Sequence, residues 1–209
     1  FELFVQDIAG VDVGLLHALS LSVGWSHRPK DWEFLRRIGK GIVAVDGIGR
    51  VFGSAMWFPH GEDFATIGLV ITTPRLQAQG NGRWLMDHVL TQCGSRNLSL
   101  NATKPAYLLY HSLGFVTEGT VHLYQGQMPA MPAARLELEG QIDALAPHAL
   151  AEIAALDTQA FGADRMAHLA ALAETATIHV LRRAGAIVGY SMCRASVSYT
   201  HLTLPTICS

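Results

Sequence analysis

One segment of the sequence, residues 70–86 (VITTPRLQAQGNGRWLM), constrains the fold more than any other. It has the pattern of a β-strand, a turn at Pro74, and a loop whose Gly80 and Gly82 directly precede an amphipathic helix. Glycines there let the backbone approach a ligand closely, and N–H groups at the start of a helix attract anions. The segment therefore predicts either a phosphate-binding turn or an ordinary strand-to-helix loop.

The spacing of these two glycines does not fit the common nucleotide-binding fingerprints. The sequence has no G-x-x-x-x-G-K-[ST], and the third glycine of G-x-G-x-x-G is missing. A mononucleotide-binding domain of another type stays open as an alternative.

Hydrophobic periodicity predicts an α/β domain with a mixed sheet around this segment. The strand that enters the glycine loop should pair in parallel with the strand after the next helix, through a right-handed crossover. Helices are predicted at residues 13–22, 30–39, 83–93 and 106–112, and strands at 41–46, 50–59, 64–73, 97–101 and 116–124.

The second part of the chain resembles the first. Residues 41–56 align without gaps on residues 177–192, and four positions are identical, namely Ile42/Ile178, Gly49/Gly185, Gly53/Gly189 and Met56/Met192. Two unrelated hairpins could match this well, but the shared order of helix, helix, strand, strand favours an internal duplication. At the same offset Trp25 stands opposite Phe161.

These patterns predict four segments. Residues 1–126 form a first domain, 127–140 a linker rich in Pro, Met and Ala, and 141–195 the first half of a second domain. Residues 196–209 lack Asp, Glu, Lys and Arg, and SYTHLTLPTICS resembles a translated sequencing adapter, so they are predicted to be a non-native tail. The chain also opens with Phe1 rather than Met.

Composition narrows the classes of partner. With 15 Lys+Arg against 17 Asp+Glu, the net charge of -2 argues against nucleic acid as a partner. No apolar run reaches the roughly 18 residues of a membrane span, so no membrane is predicted either. The three cysteines argue against a disulfide scaffold, and the ten histidines have no metal-binding spacing, so no metal is predicted.

Two short motifs resemble the GNAT superfamily of acyl-CoA-dependent N-acyltransferases. The family's [RQ]-x-x-G-x-[GA], after a strand and at the start of a helix, reads QAQGNG here, and its later Y-x-x-x-G-F reads YHSLGF at residues 110–115. The motifs follow in the family's order and separation. Residues 1–126 therefore resemble a complete GNAT fold, and residues 141–195 resemble the opening half of another, as in tandem acetyltransferases.

The resemblance implies acetyl-CoA as the acyl donor. It implies that backbone amides of residues 79–83 hold the pyrophosphate, that residues 70–72 pair with pantetheine, and that an amide there stabilises the thioester oxygen. The residues implied in cofactor binding are Val70, Ile71, Thr72, Gln77, Ala78, Gln79, Gly80, Asn81, Gly82, Arg83 and Asn101.

The resemblance assigns Tyr110 as the general acid that protonates the departing thiolate. Tyr107, on the same helix face, is interpreted as a packing residue. The base is not determined: His60, Glu62 and Asp63 are candidates, or solvated turn residues. Trp25, His27 and Arg28 lie where the family often builds its acceptor pocket, although Trp25 could equally belong to the core.

The functional hypothesis is a cytoplasmic acyltransferase. It would move acetyl from acetyl-CoA to a primary amine of a small molecule or a peptide through a ternary complex, and a homodimer is compatible with it. The alternative is a non-catalytic module that holds acyl-CoA or packs against its tandem partner.

Overall fold

The computed structural model describes residues 2–122 and 139–194. The chain divides into two compact units, Phe1–Val116 and Thr117–Ser209, called here the first and second units. In the described part of the chain, no helix is long and apolar enough to cross a membrane. The predicted linker lies almost entirely outside the described residues, and the predicted tail lies entirely outside them.

The first unit is a five-stranded sheet with helices against it. The strand order follows the chain from β1 to β5; neighbours pair antiparallel except β4 and β5, which are parallel. This confirms the predicted α/β class with a mixed sheet. The elements are β1 (Phe4–Asp7), α1 (Val13–Ser22), α2 (Pro29–Ile38), β2 (Lys40–Val45), β3 (Val51–His60), β4 (Phe64–Thr72), α3 (Asn81–Cys93), β5 (Asn97–Leu100) and α4 (Tyr107–Ser112).

Local chemistry sets the helix ends. The Asp12 carboxylate accepts from the Leu15 N–H at 3.3 Å and caps α1. Pro29 opens α2, where its missing N–H costs nothing, and Gly39 follows the last residue. Helix α3 begins after Gly80, two residues earlier than the periodicity predicts.

Two apolar clusters use alternate residues of the same strands. Leu85, Met86 and Val89 of α3 pack with Ala55 and Trp57 of β3. The other cluster is centred on α1 and α2 and includes Leu16, Leu19, Trp32 and, from β3, Met56. Successive side chains of a strand point to opposite faces, so the helix pairs cover the sheet on both sides. Trp32, fully buried, donates from Nε1 to Ser20 Oγ at 3.1 Å.

The prediction of a strand at residues 116–124 is wrong over its described part. Residues 116–122 have no regular structure, and the last two positions lie outside the described residues. Strand β1 was not predicted, because all four of its residues are exposed and show no alternation.

The second unit has a three-stranded antiparallel sheet in the order β6-β7-β8. Its elements follow the order of β1, α1, α2, β2 and β3, and Gly185 has the left-handed conformation (φ 82°) of Gly49 (φ 81°) in the corresponding turn. The elements are β6 (Gln141–Leu145), α5 (Ala151–Phe161), α6 (Met166–Ala173), β7 (Ala176–Arg183) and β8 (Ala186–Arg194).

A buried charged group ties the elements of the second unit together. Asp157 is 1% exposed, and Arg165 donates to both its carboxylate oxygens at 2.8–3.1 Å. The Tyr190 hydroxyl donates to the same carboxylate. Burial and that hydrogen bond raise the pKa of Tyr190 to about 12, so the phenol stays neutral. The group joins α5, the start of α6 and β8.

Replacing Asp157 by Asn should lower the free energy of unfolding of the second unit by about 3 kcal/mol, because the mostly buried Arg165 would lose its counter-charge. Hydrogen exchange of the β7 amides in the full chain measures this. Glu152→Gln is the control: the Glu152–Arg182 pair (2.8 Å) is half exposed, so its loss should cost less than about 1 kcal/mol. Equal costs would contradict the role of the buried charge.

Candidate active site

Strands β4 and β5 separate partway along their length. Their pairing runs from Phe64↔Asn97 to Ile67↔Leu100, while β4 continues to Thr72. From Gly68 onward, the edge of β4 on that side has no β5 partner. The segment predicted to meet pantetheine, residues 70–72, lies on this unpaired part.

A β-bulge in β4 coincides with the separation. Ser54 of β3 is opposite Ile71, but Met56 is opposite Gly68, so β4 carries one extra residue there. Leu69 adopts the left-handed conformation (φ 52°), which is costly for a non-glycine residue. Its carbonyl accepts a 2.7 Å hydrogen bond from the buried Ser54 hydroxyl.

The bulge reverses the face of the sheet to which the odd-numbered side chains of β4 point. Ala65 and Ile67 pack in the apolar cluster that contains Leu85, Met86 and Val89 of α3. Leu69 and Ile71 are also odd-numbered, but they pack in the cluster centred on α1 and α2. Sequence reasoning missed the bulge and Ser54. The only available signal was the apolar run of residues 69–71, which interrupts the alternation that precedes it.

A small pocket of about 50 Å³ opens where the strands separate. It brings together predicted site residues from three separate parts of the chain, and Gly68 and Thr103, which were not predicted, also line it. The predicted residues in its wall are Trp25, Val70, Asn101 and Tyr110.

Tyr110 reaches this pocket from α4. It is 7% exposed and meets Phe115 edge-on with ring centroids 6.1 Å apart. Burial raises the pKa of its phenol, which therefore stays protonated at neutral pH and able to donate. Tyr107 is 44% exposed and does not line the pocket.

The glycine loop, residues 73–80 between β4 and α3, has the backbone conformation of an anion-binding turn. Ala78 (φ 59°) and Gly80 (φ 83°) are left-handed, and Gly80 is the N-cap of α3. The first N–H groups of α3 have no acceptor within the helix. A Cβ on Gly80 would meet nothing within 4 Å, so the loop is open there. The left-handed Ala78 is a feature that sequence reasoning missed.

Side-chain amides of the loop and of the first residue of α3 donate to carbonyls of the loop and of the last residue of β4. Gln77 donates to the Thr72 carbonyl at 3.1 Å, and Asn81 donates to the Leu76 carbonyl at 2.9 Å. Gln79 donates to the Arg75 carbonyl at 2.8 Å. These bonds hold the turn in shape and leave the backbone amides for a ligand.

Helices α3 and α4 meet next to the loop. A Cβ on Gly82 would lie 3.1 Å from Leu109, so the glycine permits close packing of the two helices. Arg83 donates to the Ser112 hydroxyl at 3.0 Å. Between Asp63 and Asp87 the chain has two arginines and no acidic residue, so this region favours anions.

The predicted acceptor residues differ in their surroundings. Trp25 lines the pocket, and the His27 ring contacts the Trp25 ring, with centroids 5.6 Å apart. Arg28 makes two 3.0 Å bonds to Asp31, which raise the pKa of its guanidinium. An acceptor carboxylate at Arg28 would have to compete with Asp31, so that role stays a prediction.

The candidate bases lie at the other end of β4. His60 pairs with Phe64, and its Nε2 is 3.0 Å from Thr66 Oγ1. At about 3.3 Å per residue, the start of β4 is roughly 20 Å from Val70. Glu62 is 3.5 Å from Arg96, also away from the pocket. The structure therefore does not bring His60, Glu62 or Asp63 to Tyr110.

Residues 2–122 and 139–194 contain no group of three or more His, Cys, Asp or Glu side chains that could hold a metal ion.

Comparison with known proteins identifies similar chains. Residues 37–117 match the family model of the acetyltransferase (GNAT) domain. The uncharacterized N-acetyltransferase YitH of Bacillus subtilis (strain 168) is 28% identical over 130 residues, which cover 61% of this chain and 45% of YitH. The match thus spans less than half of that relative.

Two solved structures share the fold. A candidate acetyltransferase from Staphylococcus aureus, SA2161, has a TM-score of 0.53 and 21% identity, covering 60% of this chain and 100% of its own. A candidate acetyltransferase from Pyrococcus horikoshii has a TM-score of 0.66 and 17% identity, covering 93% of this chain and 72% of its own.

Proposed function

We propose that the first unit, whose residues 37–117 match the model of the acetyltransferase (GNAT) domain, moves an acetyl group from acetyl-CoA to a primary amine in a ternary complex. One observation carries the proposal: the phenol of Tyr110 and the unpaired edge of β4 line the same pocket. That arrangement offers a proton donor and backbone hydrogen-bonding groups to one ligand.

The donor site uses the glycine loop and the separated strand. Amides of residues 79–83 would hold the pyrophosphate, with Arg75 and Arg83 adding positive charge. Val70, Ile71 and Thr72 would offer backbone groups to the pantetheine amides, and Asn101 a side-chain hydrogen bond. The residues present therefore fit the donor.

Acetyl-CoA supplies the acyl group activated as a thioester. Tyr110 would donate its proton to the sulfur as the carbon–sulfur bond breaks and the nitrogen–carbon bond forms. The amine releases its proton to water, and Tyr110 regains one from solvent. The Val70 N–H would stabilise the negative charge that develops on the carbonyl oxygen.

The acceptor is proposed to be the amine of a small molecule or a peptide that enters beside Trp25. We propose further that residues 141–195 are the opening half of a second GNAT-like domain. The repeated element order and the likeness over 93% of the chain support this. The described residues of the second unit include no counterpart of α3 or Tyr110. The proposed chemistry concerns the first unit alone.

Calorimetry with CoA, ATP and NAD, and thiol release from acetyl-CoA with a panel of amines, test the proposal on the full chain. We expect CoA to bind more tightly than the other two nucleotides, and at least one amine to accelerate thiol release. Binding without turnover would favour the non-catalytic module. Tighter binding of ATP or NAD would favour a mononucleotide-binding domain instead.

A further inference from the structure

We infer that Ser54 is a positioning residue, which aims the N–H of Val70 into the gap between β4 and β5. This inference rests on the proposed function, because it names what holds the proposed thioester-binding amide in place. Ser54 itself does not line the pocket, and it would act only through the β4 backbone.

The geometry of one peptide group carries the inference. Ser54 Oγ donates to the Leu69 carbonyl at 2.7 Å from β3. The peptide that follows this carbonyl is trans, so the N–H of Val70 points away from it. Fixing the carbonyl towards Ser54 therefore fixes the N–H on the side away from Ser54.

The surroundings of that N–H match the proposed role. Pairing between β4 and β5 ends at Ile67, so no β5 residue is in register with Val70. Val70 and Tyr110 line the same pocket. A donor held there would meet a carbonyl oxygen whose sulfur lies near the Tyr110 hydroxyl.

The hydrogen bond also explains why the bulge persists. Leu69 is left-handed, a conformation that a leucine adopts only when its surroundings impose it. Ser54 is 0% exposed, so its hydroxyl would be costly without a partner. Hydroxyl and bulge therefore stabilise each other, and loss of the hydroxyl should let the peptide turn.

The test compares Ser54→Thr with Ser54→Val, which have nearly the same shape and differ in the hydroxyl. We expect Ser54→Thr to keep most of the wild-type kcat and Ser54→Val to lose about tenfold or more, since one donor to the developing charge is worth up to about 10²–10³-fold. The KM for acetyl-CoA should change less than about threefold in both. Ser54→Ala replaces Ser54→Val if the valine variant does not fold, as judged by its circular dichroism and melting curve.

A second readout does not depend on turnover. In ¹⁵N–¹H spectra of the full chain, added acetyl-CoA should shift the Val70 amide in the wild type and Ser54→Thr but not in Ser54→Val or Ser54→Ala. If wild type gives no turnover with any amine, the acyl-transfer proposal fails while this comparison still decides the role of Ser54. Equal kcat values and equal Val70 shifts in the Thr and Val variants would overturn the inference. So would a loss in Ser54→Val that appears only as a raised KM.

Discussion

Replacing Tyr110 by Phe should lower kcat for acetyl transfer about 10²–10³-fold and leave the Kd for CoA unchanged within about twofold. The substitution removes only the hydroxyl, so the ring keeps its contact with Phe115 and its place in the core. Without the phenol, the sulfur must leave as a thiolate or take its proton from water. Steady-state thiol release and calorimetry with CoA measure the two quantities.

The matched control for this variant is Tyr107→Phe. Tyr107 lies on the same helix, is 44% exposed and does not line the pocket, so its hydroxyl should not affect kcat. Equal rates for wild type and Tyr110→Phe would remove Tyr110 from the mechanism. Equal losses in the two variants would indicate that α4 is being disturbed as a whole.

The pH dependence of kcat offers an independent check on the same group. Burial raises the pKa of Tyr110 above its ordinary value of about 10. Only the protonated phenol can donate, so its contribution is present below that pKa and is lost as the pH rises through it. We expect no fall in kcat from this group between about pH 8 and 10. A basic limb centred near pH 8 would assign the titration to another group.

Replacing Gly80 by Val should raise the Kd for CoA about 10- to 100-fold. Gly80 has a φ of 83°, which a β-branched residue adopts only with strain, so the loop would change its backbone conformation. The amides that precede and open α3 would then no longer converge on one anion. Hydrogen bonds to charged groups are worth about 1.5–3 kcal/mol each, and 1.4 kcal/mol is tenfold in affinity.

Gly49→Val separates this effect from general destabilisation. Gly49 has nearly the same conformation (φ 81°), and a Cβ at either glycine meets nothing within 4 Å. It lies in the turn between β2 and β3 and is not part of the glycine loop. Both variants should lose about 1–2 kcal/mol of stability, yet only Gly80→Val should bind CoA weakly. If Gly80→Val bound CoA like the wild type, the phosphates would not lie on this loop.

Sequence reasoning succeeded where the signal was local. The apolar repeat of residues 13–22 predicted the bounds of α1 correctly, and the order of strand, loop and helix predicted the parallel pairing of β4 with β5. The recurrence of Gly49 as Gly185 reflects a turn that needs a left-handed residue in both units. These features depend on residues close together in the chain.

The remaining features depend on contacts between distant residues. Strand β1 is exposed and forms only because β2 offers an edge. The bulge at Leu69 depends on a hydroxyl fifteen positions earlier. The pocket needs Trp25, Val70 and Tyr110 to converge, and nothing in their spacing requires it. The resemblance to a family predicted roles for these three residues, and the structure places them in the wall of one pocket.

The extra residue in β4 limits the insertions and deletions that this strand can tolerate. Up to Ile67 the odd positions serve one core, and from Leu69 they serve the other. Deleting or inserting one residue in β4 would exchange the two faces of the strand beyond that point. Ile71 would then be exposed and Thr72 buried. Natural variation in length should therefore collect in open turns such as 47–49, whereas β4 keeps its length even where its side chains vary.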